Sequence, residues 1–176
     1  MYSIVEFASL KHAPYKRLTI GLAKTPVGPA VLVWDALGIR ELSLDKSPQD
    51  VLLRWSVLDR QIERDDATAD QCVAKVFEQR ALDLPLVFCG TDFQRKVWQQ
   101  LMQIKRGQTT SYSELASRLG KPSAARAVGG AVGANLLGFV VPCHRVVRQD
   151  GLIGEFRWGT EVKASLLAWE SRLAYG

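Results

Sequence analysis

The first half of the chain alternates short apolar runs with turn residues. Runs rich in β-branched residues and bounded by Gly or Pro predict strands. The predicted strands are 17–23, 30–35, 39–44 and, as an edge strand or an extended linker, 84–88. Apolar residues at helical spacing predict two helices, Pro48–Leu58 with Ser47 as its N-cap and Ala69–Leu82. The polar stretch 63–66 between them is interpreted as a loop.

In the first predicted helix, four residues share the apolar face: Val51, Leu52, Trp55 and Leu58. Cys72 lies on the apolar side of the second helix, so we predict that its thiol is part of the core. No set of catalytic residue types occurs in this half of the sequence. We therefore interpret it as a small α+β domain.

Helical spacing dominates the second half of the chain. The predicted helices are Thr91–Ile104, Thr110–Gly120, Ala124–Ala134 and Thr160–Arg172, the last with Leu166, Leu167 and Leu173 as core contacts. Ser111 and Glu114 have the spacing of a capping box, and Asp150-Gly151 is a hairpin signal. Two short helices joined by a glycine-containing turn match a helix-turn-helix. We predict an α+β fold with domains at 1–88 and 89–176.

The positive charge of the chain is concentrated in its second half. Residues 1–90 contain 11 Lys and Arg against 12 Asp and Glu, a net charge of −1, whereas residues 91–176 contain 12 against 6, a net charge of +6. A basic domain is typical of proteins that bind nucleic acid or another polyanion, although a solvated surface gives the same composition.

The chain has three cysteines, Cys72, Cys89 and Cys143. No C-x-x-C pair or four-ligand spacing occurs, so the sequence predicts neither a disulfide framework nor a zinc site. The stretch 1–14 lacks the pattern of a secretory signal, and no apolar run has the length of a membrane span. We expect a soluble, intracellular, cytoplasmic protein with reduced thiols that uses no metal or cofactor.

Cys143 lies between Pro142 and His144 in an otherwise apolar run, 140–147. An isolated buried cysteine is usually an inert small hydrophobe. A cysteine reacts as the thiolate, its ordinary pKa is about 8.5, and a nearby imidazole can remove the proton directly or through a water. Because neighbouring side chains of an extended segment point in opposite directions, direct contact between Cys143 and His144 requires a turn.

The predicted helix 124–134 carries one long side chain, Arg126, and is otherwise mainly Ala, Val and Gly. A helix that identifies bases in the major groove needs several long polar side chains. Gly129-Gly130 lowers helix stability by about 1 kcal/mol per glycine relative to Ala, which indicates a steric reason. Either the helix packs tightly against another helix, or its backbone approaches DNA with Arg126 in the minor groove.

Glu170 lies near the end of the last predicted helix, where a carboxylate opposes the helix dipole. It therefore either has a cationic or hydrogen-bonding partner or is a solvated surface residue. Both interpretations fit the sequence.

Together these segments resemble the O6-alkylguanine-DNA alkyltransferases, also called methylated-DNA–protein-cysteine methyltransferases. The signature is Pro142-Cys143-His144-Arg145-Val146, and the resemblance extends over about residues 85–172 in family order and spacing. The other matching segments are Gly90–Trp98, Ser111-Tyr112, Ala125–Gly129, Asn135, Arg157–Gly159, Lys163 and Leu166–Glu170. The first half resembles the family only in size and general layout.

The resemblance implies a DNA repair protein that transfers an alkyl group, such as methyl, from O6 of guanine to Cys143, with O4-alkylthymine as a further candidate substrate. The transfer would be irreversible and would occur once per molecule. His144 would remove the thiol proton through a water, and Glu170 would orient His144, as in a catalytic triad. Tyr112 would donate a proton to the guanine ring.

The resemblance also implies roles for residues around these four. Asn135 would connect the helix-turn-helix to the active-site turn, and Lys163 would support the pocket. In the pocket, the carbonyl of Val146 would accept from the base, the backbone amide of Arg157 would meet O6, and Phe156 would form part of the wall. The residues implied to contact DNA are Tyr112, Ala125, Arg126, Ala127 and Gly129.

The implied fold is an RNase H-like N-terminal domain followed by a winged helix-turn-helix domain. The implied partner is double-stranded DNA with alkylated bases, bound through the minor groove by a monomer. Because O6 cannot reach a buried thiolate within a stacked duplex, the base must be turned out of the helix.

The sequence departs from the family pattern at four positions: Gly133, Leu136, Gly138 and Phe156. The family often has Tyr in place of Phe156, prolines near Leu136 and Gly138, and in some members a basic residue in place of Gly133. Two other functions fit parts of the sequence. One is a Cys-His-Glu hydrolase, which would need an oxyanion hole and would turn over, and the other is a non-catalytic lesion-binding or regulatory DNA-binding protein.

Overall fold

The computed structural model describes residues 2–8, 17–44, 48–56 and 61–175. The chain divides into two compact units, Met1–Gly90 and Thr91–Gly176. Within the described ranges, no helix combines the length and the apolar composition that crossing a membrane requires.

The first unit is built on a six-stranded mixed sheet. Its strands are β1 (Ile4–Phe7), β2 (Arg17–Thr25), β3 (Gly28–Asp35), β4 (Gly38–Ser43), β5 (Gln61–Arg64) and β6 (Leu86–Cys89). The order across the sheet is β1-β6-β4-β3-β2-β5. β2, β3 and β4 form an antiparallel meander, whereas β5 pairs with β2 and β6 pairs with β1 and β4 in parallel. The three strands predicted at 17–44 are confirmed.

Two sequence predictions about strands are wrong. The polar stretch 63–66 is not a loop, because Glu63 and Arg64 end strand β5 and Asp65 caps the next helix by accepting from the Thr68 amide at 3.0 Å. The run at 84–88 is neither an edge strand nor a linker, because β6 lies between β1 and β4. Parallel pairing joins segments that are distant in sequence, so local patterns do not reveal it.

The described residues of this unit form two α-helices, α1 (Pro48–Ser56) and α2 (Asp66–Phe77). α2 begins and ends earlier than the predicted 69–82. It lies close to β2, because a Cβ on Gly21 would be 2.2 Å from the Asp65 carbonyl oxygen and 2.5 Å from Cβ of Ala69. This contact permits only glycine at that position.

The apolar faces of these helices are partly as predicted. On α1, Val51 and Trp55 are buried in the core of the unit, but Leu52 is 37% exposed. Cys72 is only half-buried, so its assignment to the core is wrong. Both errors have the same cause. The set of apolar residues that share a helix face in the sequence is wider than the set that contacts a neighbouring element. Ser47 and Leu58 lie outside the described residues.

The second unit contains four α-helices and a two-stranded parallel sheet among its described residues. The helices are α3 (Asp92–Leu101), α4 (Tyr112–Arg118), α5 (Ala125–Gly133) and α6 (Thr160–Tyr175), and the strands are β7 (Thr110–Ser111) and β8 (Val146–Val147). Short 3₁₀ turns occupy Pro122–Ala124 and Cys143–Arg145. The helices confirm the prediction for this half, with ends displaced by at most three residues.

Local hydrogen bonds explain where these helices begin. The predicted capping box is confirmed, because Ser111 Oγ accepts from the Glu114 amide at 3.1 Å and Glu114 Oε2 accepts from the Ser111 amide at 2.9 Å. Thr91 caps α3 in the same way. Trp98 on α3 donates from Nε1 to the Ala131 carbonyl at 2.8 Å, which fixes α5 against α3.

The hairpin signal at Asp150-Gly151 is confirmed as a tight reversal of the chain, in which the Arg148 amide donates to the Leu152 carbonyl at 2.9 Å and the Gly151 amide donates to the Arg148 carbonyl at 3.0 Å. Among the described residues, no pair of strands continues from this turn. One further prediction for this unit needs correction. On α6, Leu166 is buried, whereas Leu173 is 55% exposed.

Candidate active site

Cys143 and His144 lie on a 3₁₀ turn, not on a strand. The turn is closed by the Arg145 amide, which donates to the Pro142 carbonyl at 3.0 Å. Cys143 is 3% exposed and His144 is fully buried. Because side chains do not alternate on a turn, both can face the interior of the second unit.

Asn135 holds the cysteine turn in place from the segment that follows α5. Its buried Nδ2 is 3.1 Å from Sγ of Cys143 and 3.2 Å from the carbonyl oxygens of both Leu137 and Val141. Its Oδ1 accepts from the Leu137 amide at 2.9 Å. One amide group therefore links the end of α5 to the thiol.

The thiol is protonated at neutral pH. Burial raises the pKa of Cys143 to about 11, although the hydrogen bond from Asn135 and the positive charges of Lys163 and Arg157 act in the opposite direction. Nucleophilic attack therefore requires a base at the moment of reaction, while three groups already favour the thiolate.

His144 can provide that base. Burial lowers its pKa, although Glu170 acts to raise it, so the imidazole is neutral at pH 7. Nε2 lies 3.1 Å from Oε1 of Glu170, but the ring N–H is not directed at that oxygen. Among the described residues, neither ring nitrogen has a well-aligned hydrogen-bond partner. The nitrogen turned away from Glu170 is therefore available to accept a proton.

Glu170 is 1% exposed, which excludes the interpretation as a solvated surface residue. Its partners are His144 and Arg145, whose Nε lies 2.9 Å from Oε2 and whose Nη2 lies 2.5 Å from Oε1. Burial by itself raises the pKa of Glu170, but its interactions with His144 and Arg145 outweigh this effect and bring the pKa to about 2. The carboxylate is therefore ionised.

Arg145 is a site residue to which the sequence analysis gave no role. It connects Glu170 to the end of the α3 segment, where Nη1 donates to the Ile104 carbonyl at 2.5 Å. The sequence signal that could have identified Arg145 is its charge, because a charged side chain inside an apolar run needs a buried partner.

Cys143 opens onto a pocket of about 370 Å³. This volume falls within the range of small-molecule sites, roughly 300–1,000 Å³. The pocket is lined by Tyr112, Gly129, Val132, Gly133, Cys143, Glu155, Phe156 and Arg157. Glu155, Val132 and Gly133 are wall residues that sequence reasoning did not place there.

Tyr112 forms the side of the pocket where α4 begins. Its ring carbons are 3.8 and 3.9 Å from the position of a Cβ on Gly129, an ordinary contact distance. Burial, followed by the negative charges of a Cys143 thiolate and Glu155, raises the pKa of the phenol. The hydroxyl is therefore a proton donor at neutral pH.

Lys163 and Phe156 support the opposite side. Lys163 is buried, and its Nζ lies 3.4 Å from the Glu155 carbonyl and 6.0 Å from the centre of the Phe156 ring. Burial lowers the pKa of Lys163, and the Cys143 thiolate acts to raise it. Phe156 also makes an edge contact with Trp158 at 5.1 Å. Val146, in β8, is buried and does not line the pocket.

Of the five predicted DNA-contact residues, Tyr112 begins α4, and the other four lie on α5 and differ in exposure. Arg126 and Ala127 are exposed, whereas Ala125 and Gly129 are half-buried. A Cβ added at Gly130 would meet no atom within 4 Å. Packing within the described residues therefore does not require glycine at that position. Gly130 is exposed on the outer surface of α5.

Arg157 is joined to the other end of this helix. Its Nε donates to the Gly133 carbonyl at 3.0 Å, and its side chain is exposed at the pocket. A guanidinium thus lies beside the position where some family members carry a basic residue.

The structure places the predicted site residues in three groups. Tyr112, Gly129, Cys143, Phe156 and Arg157 line one pocket, and Asn135, His144, Lys163 and Glu170 are buried around it. Arg126, Ala125, Ala127 and Val146 do not line the pocket. In the described ranges, no group of His, Cys, Asp and Glu has the arrangement of a metal site.

The site therefore combines a buried cysteine, a buried imidazole on the next residue and a phenol that lines the same pocket as the thiol. A family model described as 6-O-methylguanine DNA methyltransferase, DNA binding domain, matches residues 92–172. The regulatory protein ada of Salmonella typhimurium is 54% identical over 91 residues, which are 52% of this chain and 26% of that protein.

Further similarities cover more of the chain. The inducible methylated-DNA–protein-cysteine methyltransferase of Bacillus subtilis is 44% identical over 95 residues, which are 54% of this chain and 53% of that protein. The crystal structure of Mycobacterium tuberculosis OGT in complex with DNA has 30% identity and a TM-score of 0.70, and the match covers 88% of this chain and 93% of that chain. The chain belongs to the O6-methylguanine-DNA methyltransferase family. It spans from about a quarter to about half of the curated relatives named above.

Proposed function

We propose that this protein repairs DNA by transferring an alkyl group, methyl in the simplest case, from O6 of guanine to Sγ of Cys143. The observation that carries the proposal is the position of Cys143. Its thiol opens onto a pocket beside the phenol of Tyr112, while His144 and the ionised Glu170 lie behind it. The names of relatives as methylated-DNA–protein-cysteine methyltransferases support the same reaction.

The reaction is a displacement at the alkyl carbon. His144 takes the thiol proton through a water, and Sγ forms a bond to the carbon as the bond from that carbon to O6 breaks. Tyr112 gives its phenolic proton to the guanine ring, which leaves as neutral guanine. Asn135, at 3.1 Å from Sγ, stabilises the thiolate before attack.

The product explains why the protein acts once. A thioether is chemically inert, and no acyl or phosphoryl intermediate forms that water could hydrolyse. The protein is thus a methyltransferase that is also the final acceptor. O4-alkylthymine presents the same alkyl–oxygen bond and is a second candidate substrate.

We propose double-stranded DNA as the partner, bound through the minor groove by a monomer of this chain. A solved family structure in complex with DNA supports the partner. The exposed Arg126 on a helix of small residues suits the minor groove, where an inserted side chain can replace a base that has left the stack. Arg157, which lines the pocket, then holds the extrahelical base there, and Lys163 supports the pocket from behind. No cofactor takes part, and the protein acts wherever the cell keeps its DNA.

We also propose a finer description of the fold. In the first unit, the meander β2-β3-β4 with β5 parallel to β2 supports an RNase H-like domain at 1–88. In the second unit, α4, α5 and the loop after β8 support a winged helix-turn-helix at 89–176.

The test is to incubate the protein with duplex DNA that carries one O6-methylguanine and to measure the mass of the intact protein. We expect one added methyl group per molecule, on Cys143 and without turnover. Release of product with repeated turnover would instead support a hydrolase. Binding without a change in mass would support a non-catalytic lesion-binding or regulatory protein.

Two variants separate chemistry from binding. Cys143→Ser should abolish transfer and retain DNA affinity, which should fall as salt rises. Arg126→Ala should impair extrusion of the base and leave reaction with the free base O6-benzylguanine unchanged. Equal loss of transfer and DNA affinity in Cys143→Ser would contradict this division.

A further inference from the structure

Phe139 has an unusual backbone conformation next to the site. Its φ is +63°, and only one other described non-glycine residue, Gln79, has a positive φ. A bulky residue in this left-handed region is strained, and such strain persists only where the surroundings hold it. Phe139 is buried, so the conformation is not imposed by solvent.

The surroundings that hold Phe139 are the same ones that hold the thiol. The Val141 amide donates to the Leu137 carbonyl at 2.9 Å, and the Val140 amide donates to the Gly138 carbonyl at 2.7 Å. Asn135 accepts from the Leu137 amide and donates to the Val141 carbonyl. A single turn therefore fixes both the Asn135 donor to Cys143 and the direction of the Phe139 ring.

The Phe139 ring lies flat against His144. The two ring centres are 5.4 Å apart and the planes differ by 12°. On its other side, Phe139 meets Trp169 at 5.5 Å in an edge contact, and Arg106 lies 4.8 Å above the Trp169 ring. One face of the imidazole is thus covered by Phe139, which in turn packs against Trp169.

This backing matters because hydrogen bonds alone do not fix the imidazole. Its Nε2 approaches Glu170 at 3.1 Å without good alignment, and within the described ranges neither nitrogen has an aligned partner. A base must present its lone pair in one direction to accept a proton efficiently. The flat contact with Phe139 supplies the restraint that the nitrogens lack.

We propose that Phe139 is a positioning residue for His144, whose ring plane it fixes and one of whose faces it keeps from water. This inference rests on the alkyl transfer proposed above. The strained backbone of Phe139 is then the structural requirement for placing an aromatic ring at this point of the turn.

The charged groups around His144 allow a directional test. They are Cys143 and Arg145 on its own turn, Lys163 and Glu170 on α6, and Arg106 behind Trp169. Phe139 carries no charge, so its removal acts on the pKa of His144 through the hydration and freedom of the imidazole and not through a change of charge. Since burial is what lowers the pKa of His144, water at the exposed face should raise it.

The experiment measures the rate of transfer from O6-benzylguanine against pH in three proteins: the unmodified chain, Phe139→Leu and Phe139→Tyr. We expect Phe139→Leu to lower the rate about ten-fold, a part of the roughly 100-fold or more that a positioned base contributes. The acid limb of its profile should move to higher pH. Phe139→Tyr, which keeps the ring, should leave that limb in place. Phe88→Leu, a buried aromatic in the first unit, controls for loss of core packing alone.

A second measurement needs no variant. The chain has only two histidines, His12 and His144, so imidazole resonances can be assigned with His12→Gln. Stacking on Phe139 should shift the ring protons of His144 upfield through the ring current. Ordinary shifts for these protons would overturn the stacking contact, whether or not Phe139→Leu folds.

The outcomes separate the two proposals. If the unmodified chain gains no alkyl group, the transfer is wrong, and the His144 resonances still report on Phe139. If transfer occurs but Phe139→Leu loses rate equally at every pH, with an unmoved acid limb, Phe139 is only a core residue and the inference fails.

Discussion

Both units of the molecule bury charged side chains, but they satisfy them differently. In the first unit, Arg40 donates to Asp35 at 2.8 and 3.0 Å, and Glu41 accepts from Trp55 at 2.7 Å and from Arg54. In the second unit, Glu170 is likewise paired with Arg145. Around Cys143, however, Lys163 has one carbonyl at 3.4 Å, and no described residue makes an aligned bond to His144.

The difference teaches how to tell a structural network from a functional one. Buried polar groups normally have partners, so a closed network needs no explanation beyond stability. An incomplete network keeps capacity for a proton or a substrate atom. Among the described residues, the buried groups without an aligned partner are the two ring nitrogens of His144, beside Cys143, whereas the neighbouring carboxylate of Glu170 is paired with Arg145.

The largest effect should come from breaking the paired charge in each unit. Glu170→Gln should slow alkyl transfer by roughly 100-fold or more, because the imidazolium that forms on His144 loses the negative charge 3.1 Å away. Glu41→Gln should lower the free energy of unfolding by about 1–3 kcal/mol with transfer unchanged. Single-turnover rates and chemical unfolding of both variants would measure the contrast.

Glu170→Gln also leaves Arg145 with a neutral partner, so its stability must be measured beside its rate. Rates should therefore be compared at a temperature where both variants are folded. If Glu41→Gln slows transfer as much as Glu170→Gln does, the distinction between closed and open networks is wrong.

A smaller loss of rate should follow removal of the amide beside the thiol. Asn135→Ala removes the donor at 3.1 Å from Sγ and should slow transfer about ten-fold, since a hydrogen bond to a charged group contributes about 1.5–3 kcal/mol. The pKa of Cys143, measured from the pH dependence of its reaction with a small alkylating reagent, should rise. Asn135→Asp is the matched variant, and its carboxylate should slow the reaction further. An unchanged thiol titration in Asn135→Ala would contradict the role.

Acid should reveal the paired charge through stability. The pKa of Glu170 is lowered from 4.5 to about 2 in the folded state. A lowered carboxyl pKa contributes stability above the unfolded value, and this contribution is lost as the pH falls from about 4.5 towards 2. Across this pH window, the free energy of unfolding should change less with pH in Glu170→Gln than in the unmodified chain. Parallel curves for the two proteins would show that Glu170 does not carry the effect.

The smallest effect should come from the other thiol with a raised pKa. Burial raises the pKa of Cys72 to about 11, as for Cys143, but among the described residues neither an amide donor nor an imidazole acts on Cys72. Cys72→Ser should leave both the stoichiometry and the rate of alkyl transfer unchanged. Peptide mapping after reaction with methylated DNA should find the methyl group on Cys143 only. A methyl group on Cys72 would show that a free thiol can accept the alkyl group without the residues that surround Cys143.

Local chemistry made part of the structure predictable. The Ser111–Glu114 box and the meander at 17–44 are set by neighbours in sequence, and both are confirmed. The grouping of Cys143, His144 and Glu170 followed from a family resemblance, because nothing local joins a 3₁₀ turn to a residue on α6. The solved family structure extends the likeness to 88% of the chain, beyond the half where sequence motifs indicated it.

Features that depend on distant pairing were not predictable. The strand at 61–64 reads as polar because it is exposed at the edge of the sheet beside β2. Arg145 and Phe139 gave no periodic signal, since the first is explained by partners on α6 and after α3 and the second by a left-handed backbone. Single residues held by tertiary contacts are where sequence patterns carry least information.

The interior position of β6 has a consequence for folding. Ile4 pairs with Leu86, so the first unit must close a loop that spans nearly its whole length before its sheet is complete. Closing such long loops slows folding, whereas contacts between successive helices form quickly. During synthesis, the meander can assemble early but stays with an unpaired edge at β4 until Leu86–Cys89 has left the ribosome.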